Sequence, residues 1–408
     1  MTVEIRPVTA DEVAAYVRTA VTGFGERLAP ERLELAWTNH ELDRTLAAFD
    51  EGEIVGTGRL YSLELTVPGG ATVPVAGVSA IAVLPTHRRR GLLTAIMRRH
   101  LDDAAEREEP MAVLHASEGG IYRRFGYGVA TTTMSATLER RHSAFVGPVG
   151  AGGRVRLVEE ETARKVFPEI FDRARRVQPG AISRIDEWWS DQFFWSGPKE
   201  SGARFLTTYE SHAGVLDGFA SYRIVEKWDG LSHNRLELGD LVTVTPEARA
   251  ALWRYLCDVD LVESIAIWSA PVDDPLRWLL AESRRLRVNR VSDELWIRVI
   301  DAPAALAARR YAVAGSLVLD VVDELRPAGA AAGRFALEGG PDGATATRTD
   351  AEPELVLGVA ELGAGYLGGV AFSTLARAGL VEERTPGALE RADAMFRTVP
   401  APYGMTWF

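Results

Sequence analysis

The sequence predicts an α/β protein of mixed sheets: two units of one plan in tandem, then a smaller α+β unit. Three observations carry this. Residues 78–101 read as a buried strand, a proline-bearing turn and an amphipathic helix. Residues 237–268 repeat that order and, like the first copy, add a further strand. Between them lies a run holding Gly147, Pro148, Gly150, Gly152 and Gly153, which is linker composition. A length of 408 residues allows two to three domains. The expected boundaries are 1–142, 143–297 and 298–408.

The elements follow in order. Residues 3–7 read as a first strand. Thr9 and Glu12 form a possible capping box before a helix with Val13, Tyr16, Val17 and Ala20 on one face. A second helical region, residues 24–37, is interrupted at Pro30. Residues 45–49, 54–65 and 71–76 are expected strands, with turns at 50–52 and 68–70. The strand at 79–83 ends at Pro85, and Thr86 is a candidate N-cap for a helix through Leu92, Leu93, Ile96, Met97 and Leu101. A strand at 111–116, a short helix at 121–125 and a strand at 127–139 close the first unit. In the second, a strand in 237–246 leads to a helix at 249–261 and a strand at 264–268. The third has helices at 304–308, 361–367, 373–378 and 387–396, with strands at 316–320, 331–337, 344–347 and 354–357.

Composition narrows the function. Apolar residues make up 47% and charged residues 25%, as in ordinary globular proteins. A net charge of −11 suits cationic partners and argues against nucleic acid. The single cysteine, Cys257, excludes an internal disulfide and a Cys-rich metal site, and no metal is expected. The N-terminus lacks the apolar core of a signal peptide, and no apolar run reaches the ~20 residues of a membrane span. A cytoplasmic enzyme fits these features.

The basic run His87-Arg88-Arg89-Arg90-Gly91 is placed against expectation, because a helix N-terminus is already positive. Backbone N–H groups, the helix dipole and arginines at one point favour a polyanion, and a pyrophosphate is the simplest. Gly91 lets a ligand approach the backbone. The repeat has Pro246-Glu247-Ala248-Arg249-Ala250 instead. Glu247 suits a helix start and repels phosphate, so the second unit is expected to bind no cofactor. The chain ends Tyr403-Gly404-Met405-Thr406-Trp407-Phe408, too apolar for a frayed tail and expected to pack.

Strand, short turn, Arg-Arg-x-Gly and helix resemble the acetyl-CoA signature of GNAT N-acyltransferases. The wider text, VLPTHRRRGLLTAIM followed by LHASEGGIYRRFGYG, resembles the Eis (enhanced intracellular survival) family. Leu93 departs from the general GNAT pattern, which favours Gly or Ala, and matches the Eis pattern. The resemblance implies two tandem GNAT-like domains, the second degenerate, and a sterol-carrier-protein-like C-terminal domain. It implies acetyl-CoA as co-substrate and a primary amine of a bulky cation, such as an aminoglycoside, as acceptor. Protein lysines are the alternative acceptor, and a non-enzymatic CoA or lipid binder the alternative function. It also implies a homohexamer.

Ile81, Ala82 and Val83 would hold the pantetheine arm through backbone groups, with the Val83 N–H as oxyanion donor. Arg89, Arg90, Gly91, Leu92, Leu93 and Thr94 would hold the pyrophosphate, and Ser117 and Glu118 would line the site. Tyr122 would be the proton donor, since a phenol is protonated at neutral pH. Tyr127 is its rival and reads as core packing. His87, His100 and His115 make no compelling base. The resemblance supplies the α-carboxylate of Phe408 as proton acceptor. Glu26 and Trp37 are candidates for the amine pocket. Cys257 falls in the cofactor-less unit, so transfer is expected to be direct.

Overall fold

A computed structural model of the chain describes residues 3–27, 41–148, 152–194, 203–230 and 232–408. It forms two compact units. One comprises Met1–Thr131, Glu294–Thr398 and Thr406–Phe408, the other Thr132–Asp293 and Val399–Met405.

The first unit begins with β1 (Glu4–Pro7). The capping box forms: the Glu12 carboxylate accepts from the Thr9 N–H at 2.9 Å and also holds Arg6. Helix α1 (Val13–Gly23) then buries Tyr16, Val17 and Ala20. β2 (Thr45–Asp50) and β3 (Glu53–Thr66) make a hairpin whose turn residues Glu51 and Gly52 both have positive φ, as a primed turn requires. β4 (Thr72–Val83) joins the two strands predicted at 71–76 and 79–83 into one. α2 (Leu92–Glu106), β5 (Met111–His115) and β6 (Gly128–Val129) follow.

The strand predicted at 127–139 divides. Its longer part, β7 (Thr132–Glu139), belongs to the second unit. There it joins β8 (Arg154–Leu157), β9 (Arg204–Glu210), β10 (Leu216–Val225), β11 (Asn234–Thr243), β12 (Val262–Pro271) and β13 (Leu286–Asp293). The order is β13-β7-β12-β11-β10-β9-β8. Helices α3 (Glu160–Arg175) and α4 (Pro246–Asp258) pack on this sheet. In return, β14 (Leu295–Val299) pairs with β5 and β6, so the first sheet runs β1-β2-β3-β4-β5-β14-β6. Thr131 fixes the return crossing, its hydroxyl accepting from the Leu295 N–H and donating to Glu294, both at 2.9 Å.

The third segment carries α5 (Ala302–Ala308), β15 (Gly315–Val322), β16 (Gly333–Gly340), β17 (Gly343–Arg348), β18 (Leu355–Gly358), α6 (Val359–Tyr366), α7 (Phe372–Arg377), β19 (Val381–Glu383) and α8 (Ala388–Phe396). Its sheet order is β17-β16-β15-β18-β19. Helix α6 lies directly on β6 and β14. A side chain at Gly128 would strike the Ala360 carbonyl, and one at Gly363 the Ile297 carbonyl. No helix among the described residues is long and apolar enough to cross a membrane.

Candidate active site

The parallel strands β4 and β5 pair only from Val75–Met111 to Gly77–Val113. Beyond Gly77 they part, and β4 runs on to Val83 with that edge open. Its other edge is bulged against β3 between Thr57 and Arg59, where Ala80 takes φ 51°. The Thr57 hydroxyl ties the bulge down by donating to the Ala80 carbonyl at 2.8 Å. The Leu84 N–H donates to the Val55 carbonyl at 2.9 Å, so Val83, one residue back, directs its N–H and C=O away from β3 and into the gap. Ala82 is buried, while Ile81 and Val83 are half-buried. This is a strand edge that an extended amide-bearing chain can complete.

The turn before α2 differs from the sequence reading. Thr86 does not cap the helix, and residues 87–90 are not its first turn. Pro85–His87 form a 3-10 turn, Arg88 is extended, and α2 begins at Leu92 behind Gly91. Arg89 (φ 63°) and Gly91 (φ 82°) are left-handed, a conformation that cannot continue a right-handed helix. The arginines therefore lie on a loop ahead of the helix. No side chain caps α2, and an added Cβ at Gly91 would meet nothing within 4 Å. The first-turn N–H groups of Leu92, Leu93 and Thr94 thus lack intrahelical acceptors. Among the described residues Arg89 has no ion-pair partner, while Arg90 meets Asp50 at 3.0 Å and His87 meets it at 3.2 Å. Arg88 donates to the carbonyls of Val83 at 3.3 Å and Gly23 at 3.2 Å. Uncapped donors, positive charge and open space fit a pyrophosphate. Ser117 and Glu118 follow β5 and are exposed.

Tyr122 ends the helical turn Gly119–Tyr122 and is 5% exposed. Burial raises its hydroxyl pKa and Glu118 adds to this, while a hydrogen bond with Ser117 opposes both. Tyr127 is fully buried edge-on to it, ring centroids 6.1 Å apart, and its hydroxyl lacks a partner among the described residues.

The C-terminus packs, as its composition predicts. The Phe408 ring lies edge-on to Tyr61 (6.1 Å) and His115 (5.0 Å). A Cβ on Gly77 would come within 3.1 Å of that ring. Phe408 therefore sits at the fork, beside the last paired residue of β4 and the last residue of β5. Trp407 stacks on His115 at 4.1 Å. The nitrogens of His115 face the carbonyls of Glu294 and Thr406, each at 3.0 Å. A carbonyl oxygen only accepts, so these two contacts engage both ring nitrogens. Burial, then Arg44, pushes His100 down to about 3, leaving it a poor proton acceptor. Burial pushes the Cys257 thiol up to about 11, which makes it a poor nucleophile. Glu26 is exposed just beyond α1, and Trp37 lies outside the described residues. Sequence reasoning missed Gly77, although a glycine inside a strand marks a close approach. It also missed Asp50, for which the sequence carries no signal.

Residues 4–130 and 180–299 each match an acetyltransferase (GNAT) domain family, and residues 302–405 a sterol carrier protein domain family. The N-acetyltransferase Eis of Mycobacterium tuberculosis is 38% identical, with 97% of each chain covered. The chain belongs to the Eis family of GNAT N-acetyltransferases. An uncharacterized N-acetyltransferase of Streptomyces avermitilis is 39% identical over 98% of this chain and 97% of its own. The crystal structure of Eis1 from Mycobacterium abscessus superposes with a TM-score of 0.89 at 36% identity, covering 99% of this chain and all of that one. This Eis-family chain is accordingly an acyl-CoA-dependent N-acetyltransferase, with two GNAT domains ahead of a sterol-carrier-type domain and acetyl-CoA as co-substrate.

Proposed function

We propose that this chain transfers an acetyl group from acetyl-CoA to primary amines of bulky cationic small molecules, aminoglycosides being the class, by direct attack in a ternary complex. The position of Phe408 at the fork of β4 and β5 carries the reading. In it, Ile81, Ala82 and Val83 hold the pantetheine arm, and the Val83 N–H meets the charge developing on the acyl oxygen. Arg89, Arg90 and the first turn of α2 from Gly91 to Thr94 hold the pyrophosphate, with Ser117 and Glu118 beside them. Tyr122 gives its proton to the leaving sulfur; its raised pKa keeps that proton in place until transfer. The Phe408 carboxylate takes the amine proton, directly or through one water. Glu26 and Trp37 recognise the cation.

The same reading makes the assembly a cytoplasmic homohexamer. Exposed Trp268, Trp278 and Val291 in the second unit supply apolar surface for contacts between copies.

The test is mass spectrometry of aminoglycosides and of lysine peptides after incubation with acetyl-CoA. Acetylated peptides beside untouched aminoglycosides would move the acceptor class to proteins. Alongside it, a short C-terminal tag turns the Phe408 carboxylate into an amide while keeping every side chain. The tagged enzyme should bind acetyl-CoA and lose about 10²-fold or more in kcat. Full kcat in that variant would place the base elsewhere.

A further inference from the structure

The second sheet opens the same fork as the first. The parallel strands β11 and β12 pair from Asn234–Val262 to Leu238–Ile267, and then part. In the first sheet the matching gap fits an acyl-CoA. In the second it is filled by the chain's own residues. Tyr403 and Met405 line it together with Gly239–Val242 of β11 and Ser269–Pro271 of β12, and the remaining cavity is about 30 Å³.

The bonds holding this segment run through polar groups along its length. The Tyr403 N–H donates to the Pro179 carbonyl at 2.9 Å, and the Ile182 N–H donates to the Gly404 carbonyl at 3.0 Å. The Tyr403 and Ser269 hydroxyls are 2.8 Å apart. Arg184, its side chain 1% exposed, pairs with Asp240 through two bonds of 2.8 and 3.0 Å and donates to the Met405 carbonyl at 2.8 Å. A buried guanidinium with its charge balanced and one N–H aimed at a main-chain carbonyl is a built site for a peptide. At Met405 the backbone is left-handed, φ 61°, a cost that persists only where surroundings impose it. Three residues later the chain ends at Phe408.

We propose that the fork of β11 and β12 is a receptor for the peptide segment 400–405 of this same chain, and that Arg184 is a positioning residue for the Phe408 carboxylate. The second unit keeps the cleft of its fold and uses it to seat residues 400–405. The proposal rests on the reading of Phe408 as proton acceptor.

The experiment uses the full-length enzyme with Arg184→Met and, since that change strands Asp240, a second variant, Tyr403→Ala, on the tail itself. Thermal melts first establish that each variant is folded. Two quantities are then read: the rate at which carboxypeptidase A releases Phe408 under native conditions, and the kinetics with a fixed amine. Release tracks the open population of the tail. Loss of one charge-assisted bond should raise it about tenfold or more. In step, kcat should fall about tenfold or more, with the acetyl-CoA KM within about twofold of wild type. A loss of packing in the first domain would move that KM as well. Unchanged Phe408 release in both folded variants overturns the receptor. Faster release with unchanged kcat upholds the receptor and refutes the carboxylate as base, so the two ideas fail separately.

Discussion

The two large sheets part their central parallel strands in the same way and finish the gap differently. Each carries a bulge on the neighbouring antiparallel pair, between Thr57 and Arg59 in the first and between Ala220 and Tyr222 in the second. Each is followed by a helix aimed from the fork. At the first helix, Gly91 and Arg89 hold a left-handed loop, and no side chain caps the N–H groups. At the second, the Thr245 hydroxyl accepts from the Ala248 N–H at 3.2 Å, and Glu247 occupies the first turn. Arg249 is turned inward to Asp274, whose other oxygen accepts from the Trp253 indole at 3.1 Å. An anion site must leave donors unsatisfied by protein, whereas a helix that only packs satisfies them. The same architecture thus leaves N–H donors open at one helix start and satisfies one at the other, according to a few residues there.

The largest expected effect tests whether chemistry is confined to the first fork. Tyr122→Phe removes a proton donor and little volume, and should lower kcat on the order of 10²–10⁴-fold with acetyl-CoA binding near normal. Burial and Glu118 raise the Tyr122 hydroxyl above its ordinary value of 10. A general acid so shifted stays protonated below that value, so wild-type kcat should show no alkaline fall from this group below about pH 10. Tyr127→Phe should be nearly silent in kcat. A pair of stopped-flow or steady-state series decides the assignment, and the reverse pattern would exchange the two tyrosines.

Next in size is a swap of character between the helix starts. Gly91→Glu puts a carboxylate at the first site, as Glu247 is at the second, and forces a left-handed backbone on a residue that disfavours it. Loss of one or two charge-assisted contacts should raise the acetyl-CoA KM about 10²-fold. Arg249→Leu in the second domain should leave the acetyl-CoA KM unchanged. It should instead cost on the order of 3–5 kcal/mol of stability, because the Asp274 carboxylate, 1% exposed, would lose its counter-charge. Urea midpoints read that loss, and acetyl-CoA should titrate to one equivalent per chain throughout. A second equivalent would break the comparison.

Much of this contrast was legible in the sequence. The order strand, proline turn, helix, strand appears twice because apolar periodicity and turn residues are local signals. The exchange of Arg-Arg-x-Gly for a Glu-bearing start is also local, and it sets the expectation of which copy carries a cofactor. What the sequence hid are the features made by distant residues meeting. Residues 127–139 read as one strand because nothing local shows that Thr131 receives Glu294 and that β14 enters the first sheet between β5 and β6. The helix start was misplaced because positive φ at Arg89 carries no sequence mark, unlike positive φ at a glycine. The apolar tail announced that it packs. Its two anchors, Arg184 in one unit and His115 in the other, are set by the fold.

The smallest expected effect concerns the cap itself. Thr245→Ala removes the hydroxyl that accepts from the Ala248 N–H and leaves a helix start with one more unsatisfied donor. If the second helix start is purely structural, the change should cost about 1 kcal/mol, read as a lower urea midpoint at unchanged slope. It should not create affinity for CoA, because Glu247 still repels phosphate and Arg249 remains paired with Asp274. Glu247→Gly added to it opens the donors and removes the repelling charge. Should the double variant still take up no second CoA, the seated tail rather than the helix start is what closes this cleft. A second equivalent bound by the double variant would make the helix start the deciding feature.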